Sequence, residues 1–317
     1  MKERVFIVGA GPVAIEYYNI STHLGYEVIV VGRGERSATH FYQATGRNCL
    51  LGGVLQNKKV LSENCSSKVI VAVSENEIDS VAMELIRIGF KDILVEKPGA
   101  STMESLSSLS SSSSKIGARV CIAYNRRYFS SVIELQKRLI ADGGVDSFHF
   151  EFTEWAHVIE GIEKAKGVKA NWLWHNSTHV IDLAFFLGGM PTSITSLRKG
   201  SLSWHPAGSS FVGCGESEKG ALFTYQANWE GPGRWGLEFI TKKNRYYLRP
   251  MEQLKIQKLG SVKIENVKID NQLDISWKPG FFLQTRDFLL GEQGDLLTVF
   301  DMEQKLATYR AILNGQL

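Results

Sequence analysis

The stretch that decides the fold is RVFIVGAGPVA, residues 4–14. Residues 4–9 are typical of a fully buried strand, and apolar residues then recur at helical spacing from Val13 to Leu24. Residues 9–14 spell G-x-G-x-x-A between strand and helix, where glycines let the backbone approach a pyrophosphate and the helix N-terminus offers unpaired N–H groups. The sequence therefore predicts a dinucleotide-binding turn. Its expected cofactor contacts are Gly9, Gly11, Pro12 and Val13.

Strands and helices keep alternating up to residue 123. Further buried strands are predicted at 28–31, 69–73, 93–95 and 118–123. A parallel sheet needs a crossover helix before the last of these strands, so the serine-rich stretch 105–114 is expected to be a helix rather than a linker. Serine competes for backbone hydrogen bonds, and we therefore expect this helix to have low intrinsic stability. Its sparse apolar face would be Leu106, Leu109 and Ile116.

The second half of the chain has a different pattern. After Tyr124 a helix is predicted at about 129–141, followed by a half-buried strand at 147–155 and a last helix at 302–314. Further strands are predicted around 192–197, 221–228, 236–240 and 245–248. Strands without intervening helices indicate an antiparallel sheet. The predicted fold class is α/β, with a Rossmann doubly wound parallel sheet in 1–123 and an α+β domain in 124–317 that has an open, largely antiparallel sheet.

Size and composition limit the function classes. The 317 residues, 44% hydrophobic and 22% charged, suffice for two domains with cores. A net charge of +3 gives no sign of nucleic-acid binding, and no apolar run approaches membrane-spanning length. The four cysteines lack CxxC spacing, and the first strand begins so near Met1 that no leader is expected. Together these observations predict a cytoplasmic protein without a disulfide framework or zinc site.

Glu96-Lys97-Pro98 ends the apolar run at 93–95. A lysine at the carboxyl end of a buried parallel strand lies where open α/β sheets bind ligands, and the proline fixes the backbone at the turn. Lys97 is therefore the first catalytic candidate. The alternative is a surface lysine that merely follows a strand.

The residues after the second strand bear on cofactor choice. Residues 31–37, VGRGERS, lack the strand-end carboxylate that would hold the adenine ribose. An arginine fork suits a 2′-phosphate, so Arg33 favours NADP over NAD, although Glu35 could still supply the acid. Besides those of the glycine turn, the expected cofactor contacts are Gly32, Arg33, Arg36, Ser37, Ser74, Asn76, Glu96, Lys97 and Asn125.

Residues 172–182, WLWHNSTHVID, contain two histidines and a carboxylate. Asn176 or Ser177 is predicted to cap a helix N-terminus. Offsets of four and three then place His175, His179 and Asp182 opposite the apolar stripe. A histidine exchanges protons near neutral pH and a carboxylate one turn on can orient it, although a lone helical histidine is more often structural. The spacing also permits a metal, which we do not predict because hydride transfer to a nicotinamide needs none.

Four features together resemble the Gfo/Idh/MocA family of NAD(P)-dependent oxidoreductases, in order along nearly the whole chain. They are the glycine turn, Glu96-Lys97-Pro98, the YNRRY segment at 124–128 and His179-x-x-Asp182. The resemblance implies redox chemistry on sugars, inositols or sugar nucleotides, and a C-terminal sheet often used for oligomerisation. Lys97 matches the catalytic lysine and His179 the catalytic histidine. His175 stands where the family commonly has an aspartate, a departure on the substrate side of the site.

The sequence thus predicts an NAD(P)-dependent dehydrogenase or reductase acting on CH–OH groups. Lys97 would stabilise negative charge on the reacting oxygen, and His179 would move its proton, oriented by Asp182 or His175. The expected substrate contacts are Lys97, Tyr124, Arg126, Trp155, Trp172, Trp174, His175 and His179. Core packing explains the tryptophans equally well.

Two other functions compete with this prediction. His175 motivates a dinucleotide sensor of the same fold with weak or no catalysis, and a structural subunit of a hetero-oligomer is the other. The presence of both Lys97 and His179 argues against each, since neither needs such a pair. The expected partners are a small sugar-type substrate and further copies of the chain through the C-terminal sheet, with no nucleic acid and no membrane.

Overall fold

A computed structural model describes residues 2–315, which form two compact units. The first unit runs to Asn125 and includes the segment Phe281–Gln304. The second comprises Arg126–Gly280 and the described residues from Lys305 onward. The sequence analysis did not anticipate that Phe281–Gln304 joins the first unit. The functional division at 123/124 stays a prediction.

Strands and helices are numbered in chain order. The strands are β1 Arg4–Val8, β2 Glu27–Val31, β3 Lys68–Val71, β4 Asp92–Glu96, β5 Arg119–Ala123, β6 Ser147–Glu151, β7 Pro191–Lys199, β8 Ser210–Ser217, β9 Leu222–Asn228, β10 Gly236–Ile240, β11 Asn244–Leu248, β12 Lys255–Lys258, β13 Ile264–Asn266 and β14 Leu297–Thr298. The α-helices are α1 Pro12–His23, α2 Glu35–Thr45, α3 Gly53–Gln56, α4 Lys58–Ser62, α5 Ile78–Ile88, α6 Met103–Ile116, α7 Ser130–Asp142, α8 Ala156–Glu160, α9 Thr178–Gly188, α10 Gln272–Ser276, α11 Phe281–Leu290 and α12 Val299–Asn314. Among the described residues, no helix is both long enough and apolar enough to span a membrane.

The first unit is built on a six-stranded sheet in the order β14-β5-β4-β3-β1-β2. The five strands from β1 to β5 are parallel, and the short β14 pairs antiparallel with β5. The inner strands are buried on both faces, which explains their continuous apolar runs. The predicted Rossmann-type sheet is confirmed, although β3 ends at Val71 rather than at residue 73.

The serine-rich stretch lies in a helix, α6, as predicted. Thr102 caps it by accepting a hydrogen bond from the Ser105 N–H at 3.1 Å. Leu106 and Leu109 are buried, whereas Ile116 at the last turn is 37% exposed and lies outside the buried face. Serines complete that face instead, because the crossover requires a helix there whatever the local propensity.

The second unit is built on an eight-stranded sheet in the order β13-β12-β11-β10-β6-β9-β8-β7. All pairs are antiparallel except β6 with β9. Phe148, Phe150 and Phe152 are all buried, as the predicted alternation requires, but the strand ends at Glu151 rather than at residue 155, and residues 151–154 are all buried. The Phe185 ring of α9 packs edge-on against Phe148 at 6.1 Å and Phe150 at 5.4 Å, so α9 covers this face of the sheet.

The sequence patterns do not predict β8, β12, β13 or β14. In β8, Gly213 and Gly215 interrupt the side-chain alternation that signals a strand. The glycines are needed there because an added Cβ would lie 2.5 Å from the Tyr225 ring at one position and 2.7 Å from the Phe223 ring at the other. Strand β13 is wholly exposed and therefore has no hydrophobic pattern to recognise.

We expect α6 to become more stable when exposed serines are replaced by alanine. The combined change Ser108→Ala, Ser111→Ala and Ser114→Ala should raise the free energy of unfolding of the first unit by about 1 kcal/mol, because each exchange improves helix propensity. Urea unfolding monitored by circular dichroism measures this. The same three positions changed to glycine should lower it, and equal stability of the two triple variants would contradict the account.

Candidate active site

The glycine turn joins β1 to α1 at the carboxyl edge of the first sheet. Gly9 has φ +119°, and a Cβ there would lie 2.1 Å from the Ala72 carbonyl oxygen, so only glycine fits. At Gly11 an added Cβ would meet nothing within 4 Å. Helix α1 begins at Pro12 without a side-chain cap or an acidic residue in its first turn. No side chain of the described residues caps the N–H groups of this first turn, and the open space beside Gly11 fits a pyrophosphate.

Arg33 follows β2 and forms an ion pair with Glu77, which directly precedes α5. The Arg33 side chain is 74% exposed. Gly32 allows close packing, since an added Cβ would lie 3.3 Å from the Ala10 Cβ. The arginine that the sequence assigned to a 2′-phosphate is thus accessible but already neutralised by a carboxylate.

The other predicted contacts of this region lie in exposed or partly exposed turns. The Ser37 hydroxyl donates to the Gly34 carbonyl at 3.0 Å, and Arg36 is exposed. Ser74 and Asn76 are exposed in the turn between β3 and α5. This turn is at the same sheet edge as the glycine turn, because β1 and β3 are parallel neighbours.

Glu96, the last residue of β4, is held by a buried tyrosine. The Tyr17 hydroxyl donates to Glu96 Oε1 at 2.7 Å, and Gln284 Nε2 donates to the Tyr17 hydroxyl at 3.2 Å. Burial, with the Glu96 charge as a second cause, raises the pKa of Tyr17 well above its usual value, so the hydroxyl keeps its proton and stays a donor. Tyr17 falls within the helical apolar spacing from Val13 to Leu24, a pattern that gives no sign of this hydrogen bond.

Lys97 follows Glu96 directly and is partly exposed. The Lys97–Pro98 peptide bond is cis. Because β1, β3, β4 and β5 are parallel, the residues that follow them share one edge of the sheet. The structure thus brings together the glycine turn, Ser74, Glu96, Lys97 and the buried Tyr124 and Asn125.

The histidine segment differs from the prediction at its start. Leu173–Ser177 forms a turn of π-helix that continues into α9, and Ser177 has helical angles. Ser177 stands directly before α9, at the predicted N-cap position, but its side chain makes no capping hydrogen bond. Every residue of α9 except Phe186 is buried, so the side that carries His179 and Asp182 is buried as well as the apolar stripe. His175 and His179 are buried with the rest of the helix.

Asp182 binds Arg127, a residue that the sequence analysis left without a role. Arg127 Nε donates to Asp182 Oδ2 at 2.7 Å and Nη2 donates to Oδ1 at 2.6 Å, with both side chains buried. This bidentate pair engages both oxygens of the carboxylate. Asp182 therefore acts as the partner of Arg127. In the part of the chain that the structure describes, no hydrogen bond between Asp182 and His179 supports the prediction that Asp182 orients this histidine.

Solved structures with the same architecture span the full chain. UDP-N-acetylglucosamine 3-dehydrogenase GnnA from Acidithiobacillus ferrooxidans has 12% identity and a TM-score of 0.75, covering 100% of this chain and 98% of its own. Dehydrogenase MviM from Clostridium difficile has 14% identity and a TM-score of 0.77, with 99% of each chain covered. Levoglucosan dehydrogenase in complex with NADH and levoglucosan has 15% identity and a TM-score of 0.74, covering 98% and 96%. No family model and no curated protein matches the sequence.

The fold is that of the Gfo/Idh/MocA-type oxidoreductases. At 12–15% identity the likeness establishes the architecture alone. The departure from the Gfo/Idh/MocA pattern at His175 falls in the π-helical turn, where the side chain is only 3% exposed. His175, the residue that departs from this pattern, is thus buried in the turn that precedes α9.

A buried carboxylate that the sequence analysis missed supports the same turn. Glu154 Oε1 accepts hydrogen bonds from Asn176 Nδ2 and the Ser177 hydroxyl, both at 2.9 Å, and Arg234 Nη1 lies 3.4 Å from Oε2. Burial raises the pKa of Glu154, although its hydrogen bonds and Arg234 act in the opposite direction. The available signal was a charged residue two positions after the last of the alternating phenylalanines, Phe152.

The three tryptophans proposed as sugar platforms differ in accessibility. Trp172 packs against Trp204 at 6.2 Å and Trp174 against Tyr309 at 5.9 Å, and both are buried, which favours core packing. Trp155 is 45% exposed and its indole N–H donates to the Gly233 carbonyl. Among the residues that the structure describes, no group of three or more potential metal ligands occurs.

We expect Glu154→Gln to change how stability depends on pH. The raised pKa means that ionisation favours the unfolded chain, so the contribution of Glu154 to stability falls as pH rises from the ordinary glutamate value of 4.5 through the folded-state pKa. Over that window the variant should gain stability relative to wild type. Denaturant titrations at successive pH values measure the difference. Exposed Glu216→Gln is the control, and parallel curves for wild type and Glu154→Gln would refute the assignment.

Proposed function

We propose that the protein is a nicotinamide-dependent oxidoreductase that interconverts a secondary alcohol and a ketone on a sugar, inositol or sugar nucleotide. The observation that carries the proposal is the position of Lys97. It follows β4 at the sheet edge that also holds the glycine turn, in a fold whose solved examples include sugar and sugar-nucleotide dehydrogenases. Open α/β sheets bind their ligands at this edge.

The first unit supplies the dinucleotide site. The open space at Gly11 and the uncapped start of α1 fit a pyrophosphate, and the bound nicotinamide would accept or donate the hydride. Glu96 is fixed by Tyr17, which holds the backbone that leads into Lys97. The ammonium of Lys97 then stabilises negative charge on the reacting oxygen.

The second unit supplies the proton chemistry. His179 takes the hydroxyl proton during oxidation and returns it during reduction. Arg127 holds Asp182 and thereby fixes the turn of α9 that follows His179. His175 takes the place of the usual aspartate and lines the substrate side of the site.

NADP is the proposed cofactor, with NAD as the alternative. Arg33 stands where NAD-specific enzymes carry an acid, and it is exposed enough to reach a 2′-phosphate. Glu77 opposes this because its carboxylate pairs with the same guanidinium. The related levoglucosan dehydrogenase was solved with NADH, so the preference is a property proposed for this chain alone. Assembly of copies through the second sheet and a cytoplasmic location also remain proposals.

The cofactor preference is tested by fluorescence titration of NADPH and NADH. NADPH should bind more tightly, and Glu77→Gln should strengthen NADPH binding about two- to fivefold with NADH unchanged, because an exposed ion pair contributes roughly 0.2–1 kcal/mol. Arg33→Ala should remove the preference. Tighter binding of NADH by tenfold, about 1.4 kcal/mol, would contradict the role given to Arg33.

The catalytic proposal is tested by Lys97→Ala in a screen of sugars, inositols and sugar nucleotides followed by nicotinamide absorbance. Turnover should fall below about a tenth of wild type while cofactor affinity stays within about twofold, because the lysine acts mainly in the transition state. Lys115→Ala, exposed on α6, is the matched control. Retained turnover in Lys97→Ala would remove this residue from the mechanism, and a wild type that binds cofactor without turnover would favour the sensor function.

A further inference from the structure

Arg126 carries a positive charge that no acidic side chain neutralises directly. Its Nε is buried and has no hydrogen-bond partner. Within residues 2–315, the side chain forms no ion pair within 4.0 Å. The residue is only partly exposed. Burial removes water from the guanidinium, and no carboxylate replaces that water as a partner. A buried charge without a partner is costly, and in natural proteins such exceptions occur mainly at functional sites.

Aromatic rings are the groups that Arg126 does contact. Its guanidinium carbon lies 4.8 Å from the centroid of the Trp235 ring and 5.9 Å from that of Phe129. Cation–π contacts of this kind contribute roughly 0.5–2 kcal/mol, and they leave the N–H donors in the plane of the guanidinium unused. The aromatic contacts therefore orient the guanidinium but provide no hydrogen-bond acceptor for its N–H groups.

The charge persists at neutral pH. Burial lowers the pKa of Arg126 to about 10, an effect that the nearby Arg234 increases. Glu252 and Glu154 act in the opposite direction and favour the charged form. A pKa near 10 still leaves the guanidinium protonated at pH 7, so a cation is present.

A second arginine shares the same indole. Arg234 lies 4.7 Å from the Trp235 centroid and 4.9 Å from that of Trp155, with half of its side chain exposed. Its nearest carboxylate is Glu154, at 3.4 Å. The His179 ring lies 6.1 Å from the Trp235 ring. Two arginines and one buried carboxylate thus surround a tryptophan that also borders the proposed proton-transfer residue.

We propose that Arg126, assisted by Arg234, binds an anionic group of the substrate. The planar guanidinium matches the oxygens of a carboxylate or a phosphate in two-point hydrogen bonding. The group is either the carboxylate of an acidic sugar or a phosphate of a sugar nucleotide, and a neutral sugar would leave the Arg126 guanidinium without an anionic partner. The inference rests on the proposed function, since it names the class of substrate that this site takes.

The test is a binding measurement that needs no turnover. The protein saturated with NADP⁺ is titrated with glucuronate, UDP-glucose and glucose, and tryptophan fluorescence and calorimetry report the affinity. At least one of the two anionic probes should bind at least tenfold more tightly than glucose. Glucuronate alone would identify a carboxylate as the anion, and UDP-glucose alone would identify a phosphate.

Variants then assign the binding to the arginine. Arg126→Met should reduce affinity for the bound anion at least tenfold while leaving glucose unchanged, and Arg126→Lys should retain part of it. Arg245→Met, which removes an exposed arginine paired with Glu238 on the same sheet, is the matched control and should bind as wild type does. Thermal melting of each variant verifies folding. If Arg126→Met does not fold, Arg126→Lys and Arg234→Met provide the comparison.

Equal affinity of the wild type for glucose and both anions would overturn the inference, as would unchanged anion binding in the Arg126 variants. These results can be distinguished from a failure of the proposed dehydrogenase function. Anion binding through Arg126 without turnover would keep the inference and remove the dehydrogenase. Turnover of neutral sugars at rates that Arg126→Met does not alter would keep the dehydrogenase function and remove the anion-binding role of Arg126.

Discussion

The buried ion pair between Arg127 and Asp182 is the interaction on which the histidine helix depends. Two charges removed from water must be paired with good geometry, and here two hydrogen bonds of 2.7 and 2.6 Å join them in a bidentate contact. Asp182 lies on α9, one turn after His179, and Arg127 lies in the segment that opens the second unit. The pair therefore fixes α9 to that segment, while Phe185 fixes the same helix to the sheet. Loss of either partner would leave the other as an unpaired buried charge near His179, the candidate proton-transfer residue.

Local sequence patterns predicted those parts of the fold that local patterns determine. The apolar runs of β1 and β4 and the alternating phenylalanines of β6 record which faces are buried. The partners of buried charges are not recorded in this way. Asp182 and Arg127 are 55 positions apart and Glu96 and Tyr17 are 79 apart, so only the folded chain shows that they meet. The missed π-helical turn has a similar cause, since nothing in the periodicity of 173–177 distinguishes it from an α-helix start.

Polar groups near the candidate site follow one physical rule, which is that a buried charge needs a partner. The buried Glu154 has Asn176 and Ser177 as partners. The exposed Arg33 is paired with Glu77. Arg126 is not paired with any acidic side chain in direct contact within the described chain, and it combines a lowered pKa with an aromatic setting. In natural proteins such local violations concentrate at functional sites. Arg126 is for this reason the group that we propose as the binding site for an anion of the substrate.

Transfer of deuterium from the nicotinamide to a sugar product would show hydride transfer directly. The protein would be incubated with NADPH labelled at the hydride-donating position and a panel of keto sugars and oxidised sugar nucleotides, with the products analysed by mass spectrometry. We expect at least one product to carry a single deuterium on the new carbinol carbon, Lys97→Ala to transfer less than about a tenth of the wild-type label, and Lys115→Ala to transfer it as wild type does. Tight cofactor binding with no label in any product would contradict hydride transfer and leave a dinucleotide-binding protein of this fold without catalysis.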